Sequence, residues 1–112
     1  RQVHEFNNNY YVVAKKGDTF RSIADDMKYD RKLAKFNERD KNDVLEEGEY
    51  VWLQKKHRKA PKEYKGFIHY VKDGESMYSI AQKYGIRLKN LYKMNHLTPD
   101  YRIRVGEPLR VR

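Results

Sequence analysis

The stretch Lys16-Gly17-Asp18-Thr19-Phe20-Arg21-Ser22-Ile23-Ala24 returns later in the chain as Asp73-Gly74-Glu75-Ser76-Met77-Tyr78-Ser79-Ile80-Ala81. Each copy reads as a glycine turn, an acidic residue, a hydroxyl residue and the apolar opening of a helix. Gly17 and Gly74 allow the positive φ that a Cβ resists. Asp18 or Thr19 in the first copy, and Glu75 or Ser76 in the second, can satisfy the free N–H groups of a helix start. The two copies are offset by 57 residues here and by 58 further on, where Leu33 matches Leu91, Asn37 matches Asn95 and Gly48 matches Gly106. One residue is therefore inserted in the link between two helices of the second copy. Self-similarity of this length means a duplicated unit.

Working outward, Tyr11-Val12-Val13-Ala14 is β-branched and aromatic and reads as a strand entering the first turn. Phe20, Ile23, Ala24 and Met27 recur at i, i+3, i+4, i+7, one face of a short helix. Asp30 is placed to cap a second helix carrying Leu33 and Phe36 inward. A charged loop follows, and Gly48 leads into a closing strand, Tyr50-Val51-Trp52-Leu53. The second half repeats the order: strand 67–71, a helix lined by Met77, Ile80, Ala81 and Tyr84, a helix with Leu88, Leu91 and Asn95, and a strand 108–111. The expected fold class is α+β, as two βααβ units, each with two helices on a two-stranded antiparallel sheet. The expected division is a tail (1–10) with weak alternation at Val3 and Phe6, repeat 1 (11–53), a basic linker (54–66) read as solvated, and repeat 2 (67–112).

Composition narrows the function. The chain has 112 residues, no cysteine, ten tyrosines and four phenylalanines, with a mean hydropathy of −1.10. Repeats of about 45 residues hold marginal cores that disulfides or metals often reinforce, so here compact helix-on-sheet packing must serve. Net charge is +9 with a pI near 9.7, which attracts polyanions (nucleic acid, anionic lipid or an anionic wall) without choosing among them. No stretch approaches the roughly 20 apolar residues of a membrane span. The four histidines lack metal-ligand spacing, and no HExxH, cysteine pair or phosphate-cradling loop is present. The plentiful carboxylates read as solvated charges, because an acid–base pair needs a buried, perturbed site. No enzyme activity, cofactor or metal is expected. None of the ribonucleoprotein, zinc-finger or helix-turn-helix patterns appears either, so no specific nucleic-acid partner is expected.

Both halves resemble LysM domains, whose pattern is a strand, Gly-Asp-Thr-Leu-x-x-Ile-Ala, a helix ending in Asn, and a Gly before the last strand. The matching positions are Gly17 to Ala24, Asn37 and Gly48, then Gly74 to Ala81, Asn95 and Gly106. The arrangement is also similar to the C-terminal tails of bacterial cell-wall glucosaminidases, with two such repeats joined by a basic linker. The resemblance implies a non-catalytic binder of N-acetylglucosamine-containing glycans (peptidoglycan or chitin), extracellular or periplasmic at the cell wall, monomeric, and anchoring a larger wall enzyme. It implicates Gly17, Asp18, Thr19, Phe20 and Arg21 in the first copy. In the second it implicates Gly74, Glu75, Ser76, Met77 and Tyr78, faced by Leu97, Thr98, Pro99, Asp100 and Tyr101. At helical spacing with Ile23 and Ile80, Phe20 and Met77 are more often core, and Asn37 and Asn95 read as structural braces. The second copy is expected to bind more tightly, because its facing loop is apolar and proline-bearing where the first copy carries Glu38 to Asp43. A basic polyanion binder is the alternative reading.

Overall fold

The computed structural model describes residues 1–29 and 32–112, which fall into two compact units, Arg1–Lys56 and His57–Arg112. Asp30, expected to cap a helix, lies outside the described residues.

In unit 1, β1 (His4–Phe6) pairs antiparallel with β2 (Asn9–Val13), which pairs antiparallel with β3 (Tyr50–Trp52). Between β2 and β3 lie α1 (Phe20–Met27) and the one-turn α2 (Leu33–Phe36). Val12, Ala14, Phe20, Ile23, Ala24, Leu33, Leu45, Val51 and Leu53 form the core. The expected two-stranded sheet is corrected here to three strands. Residues 1–10 supply the extra one, turned by Asn7 and Asn8 at φ 53° and 52°. Both central residues of this two-residue hairpin are left-handed, a conformation asparagine tolerates. His4 and Tyr11 stack across the first pair at 5.0 Å, and Tyr11 stacks on Tyr50 at 4.2 Å. Cross-strand aromatic pairs of this kind stabilise a small sheet by a few tenths to about 1 kcal/mol each.

Unit 2 repeats the plan with β4 (Ile68–Tyr70), α3 (Met77–Tyr84), α4 (Leu88–Met94) and β5 (Pro108–Arg110), β4 pairing antiparallel with β5. Its core holds Val71, Met77, Ile80, Ala81, Tyr84, Ile86, Leu91, Leu109 and Val111.

The basic stretch 54–66 is folded, against the expectation of a solvated linker. Lys56 is fully buried, its Nζ 2.6 Å from Glu38 in unit 1. His57 makes a parallel bridge to Ile86, and the Ala60 N–H donates to the Val111 carbonyl at 2.8 Å. Pro61 leads into a 3-10 turn (Lys62–Tyr64) whose tyrosine packs edge-on against Phe67 and Tyr84. The physical reason is core size: units this small gain from every apolar group they cover, and Ala60 and Tyr64 join the unit 2 cluster.

Both asparagines that end the second helices act as a substitute strand. Asn37 Nδ2 donates to the Leu33 and Trp52 carbonyls at 2.7 and 2.9 Å, and Asn37 Oδ1 accepts from the Trp52 N–H at 2.8 Å. Its side-chain amide thus pairs with both backbone groups of one β3 residue, as a neighbouring peptide would. Asn95 does the same for Leu91 and Arg110, at 2.9, 2.9 and 2.7 Å.

Candidate functional site

The repeated turn resolves the choice of cap. Thr19 and Ser76 are the N-caps, each accepting from the backbone N–H three residues on, at 3.0 Å in both. Ser22 and Ser79 return the bond to the cap N–H at 2.9 Å, closing a reciprocal box in each unit. The acidic residues serve the turn instead. Asp18 accepts from the Lys15 N–H at 2.8 Å and Glu75 from the Lys72 N–H at 2.7 Å. Gly17 and Gly74 sit at the exposed turn tips with φ 87° and 83°.

Each acidic residue is then held by a cation or ring from elsewhere, and the two units differ. Arg1 holds Asp18 through Nη1 at 2.8 Å and Nη2 at 3.3 Å, and reaches Asp26 as well. Glu75 is instead 2.8 Å from His69 Nε2, and the other ring nitrogen, Nδ1, is 2.7 Å from the Tyr84 hydroxyl. Burial pushes the Glu75 carboxyl up, but the Lys72 N–H and the His69 ring outweigh it and the net shift is downward. Burial, with neighbouring Tyr64 and Glu75, pushes the Tyr84 hydroxyl up to about 12.

The Arg1 hydrogen bond holds the Asp18 carboxyl at about 2, with the Lys15 N–H and Ser22 assisting. In the unfolded chain the group titrates near 3.8, so the folded state is the weaker proton binder. The stabilisation is complete above about pH 4 and is lost as pH falls toward 2. Acid unfolding of unit 1 over that window should be shallower in an Arg1→Gln variant, which is already less stable at pH 7. Identical slopes for the two proteins would show that the pair carries no linkage.

The loops facing the helix starts are built differently in the two units. In unit 1, Thr19 and Val44 form an antiparallel bridge, and the Leu45 N–H donates to the Asp18 carbonyl at 3.1 Å. The charged loop that distinguishes the first copy from the second has part of its charge paired. Arg39 pairs with Asp43 at 2.8 Å and Glu49 at 2.9 Å, and the Asp40 carboxylate accepts from the Asn42 N–H. A cleft of about 330 Å³ remains between the walls, lined by Phe20, Arg21, Ala24, Lys41 and Asn42. In unit 2, Thr98 bonds Asp100, and the Tyr101 hydroxyl donates to Glu107 at 3.0 Å. Leu97 packs partly against the unit 2 core.

Of the residues implicated by sequence, Phe20 and Met77 are core, at 3% and 4% exposed. Asp18, Thr19, Glu75 and Ser76 spend their side chains on the turn and cap. Arg21 stands exposed at the cleft, Tyr78 is half-buried, and Thr98, Pro99, Asp100 and Tyr101 are exposed. Sequence reasoning missed Ala24, Lys41 and Asn42 as cleft residues. Ala24 lies one turn beyond Phe20 and Arg21, so helical spacing could have found it, whereas nothing local showed that Lys41 and Asn42 would face the helix start.

A family model for the LysM domain matches residues 11–53 and 69–112. The chain belongs to the LysM domain family. LysM domains are binding modules for N-acetylglucosamine-containing glycans such as peptidoglycan. The chain is 35% identical over 48 residues to the uncharacterized lipoprotein YgeR of Escherichia coli (strain K12), a match covering 43% of this chain and 19% of that protein. Among solved structures it is similar to the spore cortex-lytic enzyme SleL of Bacillus cereus (27% identity, TM-score 0.41, covering 91% of this chain and 22% of the other). The SleL of Bacillus megaterium QM B1551 gives 19% identity and a TM-score of 0.37, covering 90% and 22%. This tandem LysM chain thus spans about a fifth of the length of each protein. Among the described residues no helix is long and apolar enough to cross a membrane.

Proposed function

We propose that this LysM chain binds N-acetylglucosamine-containing glycan through the grooves beside its two helix starts, and that unit 1 is a working module despite its charged loop. The observation that carries this is the unit 1 cleft, whose walls are bridged at Thr19 and Val44 and whose loop carboxylate Asp43 is taken up by Arg39. An acetamido group offers one donor, one acceptor and a methyl. Loop backbone groups match the first two, and the slivers of Ala24 and Phe20 that remain exposed at the cleft cover the methyl. In unit 2 the corresponding walls are 74–78 and 97–101. Shallow grooves of this kind bind weakly one at a time, because little surplus remains after ordering and desolvation.

Titration with N-acetylglucosamine oligomers, followed by backbone chemical shifts, tests this. Shifts are expected at 17–21, 24 and 41–42, and at 74–78 and 97–101. Composition of the facing loops favours the second set as the tighter, and larger shifts in the first would reverse that ranking. No saturable shift in either groove would overturn the reading. Loss of all retention on purified peptidoglycan at modest salt, without saccharide competition, would favour simple charge attraction.

We also assign to this binding the role of holding a larger cell-wall enzyme, a glucosaminidase being the expected class, against peptidoglycan outside the cell or in the periplasm. The domain family supports that role. Deleting residues 1–112 from the parent protein should release it from isolated walls while sparing its activity on soluble glycan.

A further inference from the structure

The net positive charge of the chain sits almost wholly in one unit. Unit 2 carries 13 Lys and Arg against 5 Asp and Glu, whereas unit 1 carries 12 against 11. Part of that excess is gathered in a cleft of about 290 Å³ that shares no residue with the glycan-facing loops, lined by Arg58, Lys59, Asn90, Lys93, Met94, Arg110 and Arg112. Asn90 and Lys93 share a face of α4, Arg110 stands on β5, and Arg112 is pinned by donating to the Ala60 carbonyl at 2.7 Å. Among the described residues no side-chain carboxylate pairs with Arg58, Lys93, Arg110 or Arg112, Arg110 Nη2 donating instead to the main-chain oxygen of Arg112 at 3.1 Å. Cations gathered without counter-charges repel one another, a cost that an anion removes.

We propose that this cleft is a second binding site, for the phosphate groups of an anionic polyol-phosphate polymer. Two observations choose that chemistry over nucleic acid. The lining holds no aromatic side chain, so nucleobases find no platform on which to stack. The side-chain carbonyl oxygen of Asn90 has no hydrogen-bond partner, and a buried acceptor left unpaired is unfavourable. A polyol hydroxyl supplies the missing donor once the amide turns toward the cleft, while phosphates lie along Arg58, Lys93, Arg110 and Arg112. That such a polymer is met on a cell wall rests on the glycan-binding reading; the anion site itself does not.

The test titrates the whole chain with a glycerol-phosphate oligomer and, separately, with single-stranded DNA of equal charge and with N-acetylglucosamine oligomers. Shifts from the glycerol-phosphate oligomer should centre on residues 58, 90, 93, 110 and 112 and include the Asn90 side-chain amide. In Lys93→Glu/Arg110→Glu the affinity should fall at least tenfold. The slope of log K against log salt should fall by about 1.4, from about 0.7 per phosphate contact. Lys62→Glu/Lys65→Glu makes the same charge change outside the cleft and should cost far less. Arg58→Ala/Lys93→Ala serves as a milder second pair should charge reversal disturb folding. Equal losses from the cleft and control pairs would mean diffuse attraction and overturn the proposal. DNA bound as tightly as the glycerol-phosphate oligomer through the same residues would overturn it too. Failure of the glycan reading is separately visible, as saccharide oligomers without effect while the anionic oligomer still shifts the cleft.

Discussion

Replacing Asn37 with alanine should cost unit 1 about 3 kcal/mol, from roughly 1–3 kcal/mol for each buried backbone group left unpaired. The two groups are the N–H and C=O of Trp52, which the Asn37 side-chain amide pairs together. Asn37 and Trp52 are both fully buried, so water cannot take over. A domain of this size has a total stability on the order of 3–8 kcal/mol, so the change removes a large share of it. Trp52 is the only tryptophan of the chain, which makes its fluorescence a reporter of unit 1 unfolding in denaturant. Asn95→Ala, where the corresponding bonds to Arg110 are exposed, should cost about 1 kcal/mol. Equal penalties at the two positions would refute the amide-pairing account.

His69→Leu is expected to lower the stability of unit 2 by about 2–3 kcal/mol, again from the range for buried groups left without partners. The ring is buried between the Tyr84 hydroxyl and Glu75, and a leucine fills the space while pairing with neither. Tyr84 is itself core and loses the bond outright, whereas Glu75 keeps the Lys72 N–H. The turn 72–76 should therefore exchange its amide protons faster, while the unit 1 turn, held by Arg1, stays as it was. Hydrogen exchange read at both turns makes the comparison within one molecule. Unchanged protection at 72–76 would mean that the backbone bond from Lys72 alone fixes that turn.

What the sequence made legible, and what it hid, divides by the range of the interactions. The duplicated glycine turn, the helix from Phe20 to Met27 and the apolar face of α3 are local patterns, and all three stand where their spacing puts them. The cap was readable only as a choice between Asp18 and Thr19, because both side chains can reach a free N–H. The choice is settled by Lys15, whose own N–H takes the aspartate. The holders of the acidic turn residues, Arg1 and His69, come from 17 and 6 residues away and leave no periodic trace. The stretch 54–66 looked solvated because its composition is basic; yet Lys56 is buried against Glu38, and Ala60 and Tyr64 complete a core too small to close without them. The ion pairs of the first copy's charged loop, Arg39 with Asp43 and Glu49, likewise form only once the loop is folded. The uneven charge of the two units could have been counted from the sequence and gains meaning only with the boundary at Lys56.

The added strand β1 has a practical consequence for anyone cutting this chain into pieces. Motif boundaries suggest starting the first module at Tyr11, but that fragment would begin partway along β2 and lose Arg1 together with the hairpin that covers the strand's outer edge. Asn9 and Tyr10 would go as well, so the Leu53 N–H would lose the Tyr10 carbonyl and the Gln54 carbonyl the Asn9 amide, beside the half-buried rings of Tyr11 and Tyr50. Bare edges of this kind recruit other strands. A shortened recombinant piece would thus be prone to self-association, and stickiness acquired in the cutting could be mistaken for multivalent binding.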